Sequence, residues 1–214
     1  MLHLYHCAQA RSFRPLWALE EMKLEYRLTM LPFPPRVLAK DYLTVNLLGT
    51  VPFLIDGETK MTESVAICQY LATRYGPSDL VVGPSEPGYG DWLNALYQGE
   101  ATLTFPQSLV LRYGRYEPAE RRQPQVVSDY SRWFLARLRW LEAKLSTSAY
   151  VAADRFTIGD ISVGYALLLA VVCNLSPQFP SQIARYYRSL QGRPGFLAAL
   201  KAENTPLEYA GVQP

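Results

Sequence analysis

The sequence predicts a small α/β unit followed by an all-helical one, and two observations support this. Up to about residue 76, short apolar runs of strand type alternate with helical patterns in the order strand–helix–strand, then strand–strand–helix. Beyond a stretch rich in Gly, Pro and Ser, no segment has the look of a strand, and apolar residues recur at three- and four-residue steps. The expected division is an α/β domain over 1–76, a linker over 77–90 and a helical domain over 91–214.

Taken in order, Leu2 to Tyr5 alternates as a strand and residues 7–12 form a loop. Phe13, Leu16, Trp17, Leu19 and Met22 then recur with helical period, and Pro15 is tolerated in the first turn, where its missing N–H costs nothing. Tyr26 to Leu31 is the next strand, ended by Pro32, Pro34 and Pro35. A short helix and loop lead to Gly49. Asp91 to about Leu111 is helical, with a kink expected at Pro106. Val126, Tyr130, Trp133, Phe134, Leu138, Leu141 and Leu145 mark an amphipathic helix. Thr157-Ile158-Gly159-Asp160 has the form of a capping box, with Asp in the third place. The helix it opens is apolar almost all round, which places it inside the bundle. Shorter helices are expected over 183–190 and 196–200, split by Gly192-Arg193-Pro194.

Composition narrows the function classes. Hydrophobic residues at 49% against 19% charged indicate a well-filled core rather than disorder. A net charge of +2 gives no electrostatic case for a nucleic-acid or acidic-membrane partner. The longest apolar run, residues 161–173, is too short and interrupted to cross a bilayer core of ~30 Å. No signal-peptide pattern opens the chain. Cys7, Cys68 and Cys173 are odd in number and widely spaced, which suits a reducing cytoplasm rather than a disulfide framework. With His3 and His6 the only histidines, no metal site is expected.

The stretch 49–65 holds the chemistry. Val51-Pro52 precedes the strand Phe53-Leu54-Ile55, Asp56-Gly57 signals a hairpin, and Glu63-Ser64 opens a helix that Gly76-Pro77 stops. A cis bond before Pro52 would turn the Val51 N–H and C=O outward, ready to pair with an extended peptide. The helix start offers N–H groups and partial positive charge to a carboxylate, with the Ser64 hydroxyl beside them. Glu63 could hold an ammonium group. A small peptide with a free amino-acid head suits this combination.

Thr50-Val51-Pro52, a hairpin, and Glu63-Ser64 at a helix start together resemble the glutathione transferases. The opening Leu4-Tyr5-His6, with Ala10-Arg11-Ser12-Phe13-Arg14-Pro15-Leu16-Trp17, is similar to bacterial and fungal members, as is Asn46-Leu47-Leu48-Gly49-Thr50-Val51-Pro52. The Thr157–Asp160 box resembles the start of the sixth helix in that family. The resemblance implies a thioredoxin-like first domain and an all-α second domain. It also implies glutathione as co-substrate, with Val51 beside Pro52 pairing its cysteinyl backbone and Glu63 and Ser64 holding its γ-glutamyl head. Lys40 and Arg36 are available for the glycine carboxylate. The family's usual two-fold dimer implies a homodimer.

The resemblance also implies a fold that activates a thiol. Lowering a thiol pKa from ~8.5 to ~6.5 takes about 2.7 kcal/mol of extra thiolate stabilisation. Here the sequence departs from the family, because the position of the usual serine falls on Ala10, which has no donor. The remaining candidates are Ser12, whose other role is helix N-cap, and Arg11. Tyr5 and the backbone N–H groups of residues 11–12 also remain. Cys7 is expected to pack at the strand end. Phe13, Tyr97 and Tyr113, with Phe105 and Tyr116, are candidates for an apolar second-substrate pocket between the domains. Two functions follow. One is an enzyme directing glutathione thiolate at an electrophile, organic peroxide or mixed disulfide. The other is a glutathione-binding or interaction protein of the same fold with little or no turnover.

Overall fold

The computed structural model describes residues 1–211 and contains two compact units, one of residues 1–81 with 192–207, the other of 82–191 with the described residues from 208 on. The first unit begins β1 (Leu2–His6), α1 (Phe13–Glu21), β2 (Tyr26–Met30), α2 (Pro35–Leu38), β3 (Phe53–Asp56), β4 (Thr59–Met61), α3 (Ser64–Arg74). The strands form one sheet in the order β2-β1-β3-β4. β1 and β2 are parallel, which requires the α1 crossover between them; β3 and β4 are antiparallel and joined by a tight turn in which Gly57 takes φ +56°. Leu4 pairs with Leu28 on one side and Leu54 on the other. Period-two alternation buries Leu2, Leu4 and His6 of β1 and leaves His3 and Tyr5 half-buried. α1 packs against α3, and every residue from Phe13 to Leu19 is buried.

The second unit is helical: α4 (Tyr89–Tyr97), a wide-turned segment Gln98–Thr104, α5 (Phe105–Leu111), α6 (Pro124–Leu145), α7 (Ile158–Val172) and α8 (Ser181–Gln191). The irregularity expected at Pro106 lies just upstream, in the π-type turns of Gln98–Thr104. Pro106 withholds the N–H that would close the ladder there, and the Thr104 hydroxyl takes up the Gly99 carbonyl at 2.7 Å. α7 is buried from Ile158 to Ala170, as its all-round apolar sequence predicts. At Gly99 it approaches so closely that an added Cβ would lie 2.8 Å from the Ser162 carbonyl oxygen. The capping box is present at its start. Thr157 Oγ1 accepts from the Gly159 N–H at 3.1 Å and Asp160 Oδ2 from the Thr157 N–H at 2.8 Å. Asp160 Oδ1 also accepts from the Val151 N–H at 3.0 Å and the Tyr186 hydroxyl at 2.7 Å. Burial nonetheless pushes its carboxyl up to about 6.

α9 (Pro194–Ala202) lies in the stretch that the sequence assigns to the helical domain, yet it clusters with the first unit and packs on α1. Phe196 meets Phe13 and Trp17 edge-on at 5.3 and 5.0 Å between ring centroids. Arg193 donates to both carboxylate oxygens of Glu21, at 2.8 and 2.9 Å. Beyond the helix end, Glu203 Oε2 lies 2.8 Å from His6 Nε2 and accepts from the Gln9 N–H at 3.0 Å. No helix among the described residues is long and apolar enough to cross a membrane.

Candidate functional site

The elements around residues 49–65 come together as follows. The Val51–Pro52 peptide is cis, Pro52 is buried, and Val51 makes no backbone hydrogen bond among the described residues. The carbonyl of Thr50, just before it, is held by the Tyr42 hydroxyl at 2.8 Å and the Asn46 amide at 2.9 Å. Asn46 is itself buried, and its Oδ1 accepts from the Leu48 N–H, so one side chain braces the whole approach to Val51. Glu63 is extended and exposed, and it makes no side-chain cap on α3. The first N–H groups of α3 therefore lack the acceptor that a capping side chain supplies.

Ser64 is buried at this helix start, and its hydroxyl accepts from Arg14 Nη1 at 3.1 Å. Arg14 is wholly buried within α1, so a fixed positive charge lies behind the α3 terminus and adds to its partial charge. The same guanidinium favours the Cys68 thiolate, but burial dominates and pushes that thiol up to about 12. Sequence reasoning gave no role to Arg14 or Asn46. The available signal for Arg14 was a charged residue inside an otherwise apolar helix face.

The thiol-activating candidates fare differently. Ser12 stands at the N-cap position of α1, is fully buried, and makes no side-chain cap bond. Its hydroxyl accepts from the Cys7 N–H at 3.3 Å and faces the Cys7 carbonyl at 3.4 Å, bracing the loop between β1 and α1. The N-cap place is thus kept without its capping bond, and the hydroxyl is turned inward onto Cys7 rather than outward. Cys7 packs as expected, buried and pushed up to about 12 by desolvation. Arg11 and Ala10 are half-buried on the loop, and Tyr5 lies against the Tyr42 and Phe53 rings. Phe13 is also corrected: it is fully enclosed by Trp17 and Phe196, core rather than pocket wall. In the second unit Tyr97, Phe105 and Tyr116 are exposed and Tyr113 is half-buried. Lys40 is exposed and, with Tyr5, Val37, Tyr42 and Val45, lines a cleft of about 710 Å³; Arg36 is exposed. No cluster of His, Cys, Asp and Glu suited to a metal occurs among the described residues.

A mixed four-stranded sheet with a cis proline before β3, joined to an all-helical unit, places the chain in the class of thioredoxin-like folds with a helical second domain. A sphingomonad glutathione S-transferase, solved in complex with glutathione, shares this fold with a TM-score of 0.82 at 23% identity, over 95% of this chain and 100% of that one. The family description "Glutathione S-transferase, N-terminal domain" matches residues 1–73. Glutathione S-transferase GstA of Escherichia coli O157:H7 is 30% identical over 172 residues, 76% of this chain and 78% of the relative. Glutathione S-transferase 3 of Schizosaccharomyces pombe is 24% identical over 97% of this chain and 90% of its own length. The chain belongs to the glutathione S-transferase family.

Proposed function

We propose that the protein binds glutathione and directs its thiolate at an electrophile, an organic peroxide or a mixed disulfide. The observation that carries this is the uncapped start of α3, where buried Ser64 is backed by buried Arg14. An α-carboxylate placed there meets helix N–H groups, a hydroxyl and a nearby guanidinium charge at once. Glu63, exposed beside it, suits the ammonium of the same γ-glutamyl head. Val51 offers an N–H and a C=O to the cysteinyl backbone next to Pro52, and Lys40 is available to the glycine carboxylate. Without a hydroxyl at Ala10 and with the Ser12 hydroxyl on Cys7, thiolate stabilisation falls to the backbone N–H groups of residues 11–12, just ahead of α1, and to Arg11. Tyr97 and Tyr113 are proposed to contact the second substrate. A homodimer in the cytoplasm completes the proposal, and the three free cysteines suit a reducing compartment.

The test is calorimetry and thermal melting with glutathione. A ligand at 100 times its Kd stabilises by about 2.7 kcal/mol, so saturating glutathione should raise the melting temperature by several degrees. An unmoved melting temperature and no heat of binding would overturn the proposal. Ala10 favours a second reading, a glutathione-binding protein with little or no turnover. Binding without conjugation of a chlorodinitrobenzene, reduction of an organic hydroperoxide or cleavage of a glutathione mixed disulfide selects that reading.

A further inference from the structure

His6 and Glu203 are polar, titratable side chains buried in the first unit, and the proposed chemistry does not use them. His6 ends β1 on its inward face, and Glu203 follows the last turn of α9. One carboxylate oxygen, Glu203 Oε2, is shared between His6 Nε2 at 2.8 Å and the Gln9 N–H at 3.0 Å. The other oxygen, Oε1, and His6 Nδ1 are buried without a partner among the described residues. Burial of a carboxylate and an imidazole is costly, so a pair kept there needs a reason in what it holds. It holds Gln9, which sits at φ +58°, a conformation that residues with a side chain disfavour. Gln9 lies in the loop from Cys7 to Ser12, which leads into the first turn of α1. The Ser12 hydroxyl grips the Cys7 end of that loop, and Glu203 grips its middle.

We infer that Glu203, with His6, is a positioning residue for the thiol of bound glutathione, fixing through Gln9 the loop that carries the backbone N–H groups of residues 11–12 ahead of α1. This rests on the function proposed above. The anchor acts by hydrogen bonding and reach, not by charge, since a carboxylate's charge near a thiolate would oppose it. The charged groups on the same loop and helix, Arg11 and Arg14, act in the opposite sense.

The test compares full-length wild type, Glu203→Asp and Glu203→Gln. The thiolate absorbance of bound glutathione is followed against pH, and affinity for S-methylglutathione, which has no thiol to ionise, is measured alongside. Glu203→Asp keeps the charge but falls short of Gln9. Its thiolate midpoint is expected to rise by about one pH unit, a tenfold loss of thiolate at lower pH. Glu203→Gln keeps reach and acceptor and is expected to match wild type. S-methylglutathione should bind all three alike. Glu203→Met, which removes the acceptor at similar volume, carries the same expectation as Glu203→Asp should that variant not fold. An unmoved midpoint in the Asp or Met variant overturns the inference, as does a raised midpoint in Glu203→Gln. An equal loss of S-methylglutathione also overturns it, marking general damage instead. If wild type binds neither glutathione nor its S-methyl ether, the proposed function fails and takes this inference with it. If wild type binds both and the variants keep its midpoint, only this inference fails.

Discussion

Two helix starts in this molecule both follow an extended residue and differ in how they are closed. α7 begins after extended Thr157, and α3 begins after extended Glu63. At α7 the chain supplies its own acceptors: Thr157 caps the Gly159 N–H, and Asp160 returns to the Thr157 N–H. Asp160 also collects Val151 and Tyr186, so the whole end is buried and satisfied. At α3 the cap residue points to solvent, and the one buried hydroxyl accepts from Arg14. Both ends carry the same partial positive charge. The closed one serves folding; the open one, with a cation behind it, is suited to an outside anion.

The sharpest break of this contrast is Asp160→Ala. It orphans two buried N–H groups and a buried tyrosine hydroxyl, and should cost about 3 kcal/mol or more, read as a lower urea midpoint. Asp160 also makes the closed end pH-sensitive. Its folded pKa is raised, to about 6, above the ordinary 3.8, so its contribution is fully present below pH about 4 and is lost as pH rises through about 6. The shift corresponds to a loss on the order of 3 kcal/mol. Urea midpoints between pH 4.5 and 7.5 should fall more in wild type than in Asp160→Asn; equal slopes would remove this group from the account.

At the open end, Ser64→Ala should weaken glutathione about tenfold, or ~1.4 kcal/mol by calorimetry. Thr157→Ala should leave that affinity untouched. The smallest effects compare the cap residues themselves by thermal melts. Thr157→Ala should cost about 1 kcal/mol of stability, whereas Glu63→Ala, which removes no cap, should stay within about 0.5 kcal/mol. Equal losses at the two caps would erase the distinction between them.

Local features were legible in the sequence because their causes are local. The Thr157–Asp160 box spans one turn, α7 is apolar all round, and the strand pattern of residues 1–76 follows period two and turn chemistry. The order Val-Pro, hairpin, Glu-Ser was legible for the same reason. Ser12 takes the N-cap place its spacing allows, but only the fold of the loop turned its hydroxyl onto Cys7 instead of onto the helix or outward. Phe13 was misjudged because an aromatic on a helix reads alike whether it lines a pocket or fills a core; Phe196 decided which.

The sequence by itself determined the order of strands and helices in residues 1–76, the all-round apolar α7 and the capping box that opens it. Propensity, periodicity and turn residues act within a few positions along the chain. Tertiary structure alone decided that Arg14 stands behind Ser64, that α9 joins the α/β unit, and that Glu203 reaches His6 and Gln9. Those partners lie 50 and nearly 200 residues apart, and no periodicity relates them. Only the closing of the chain around a shared interior forces such buried charges to find one another.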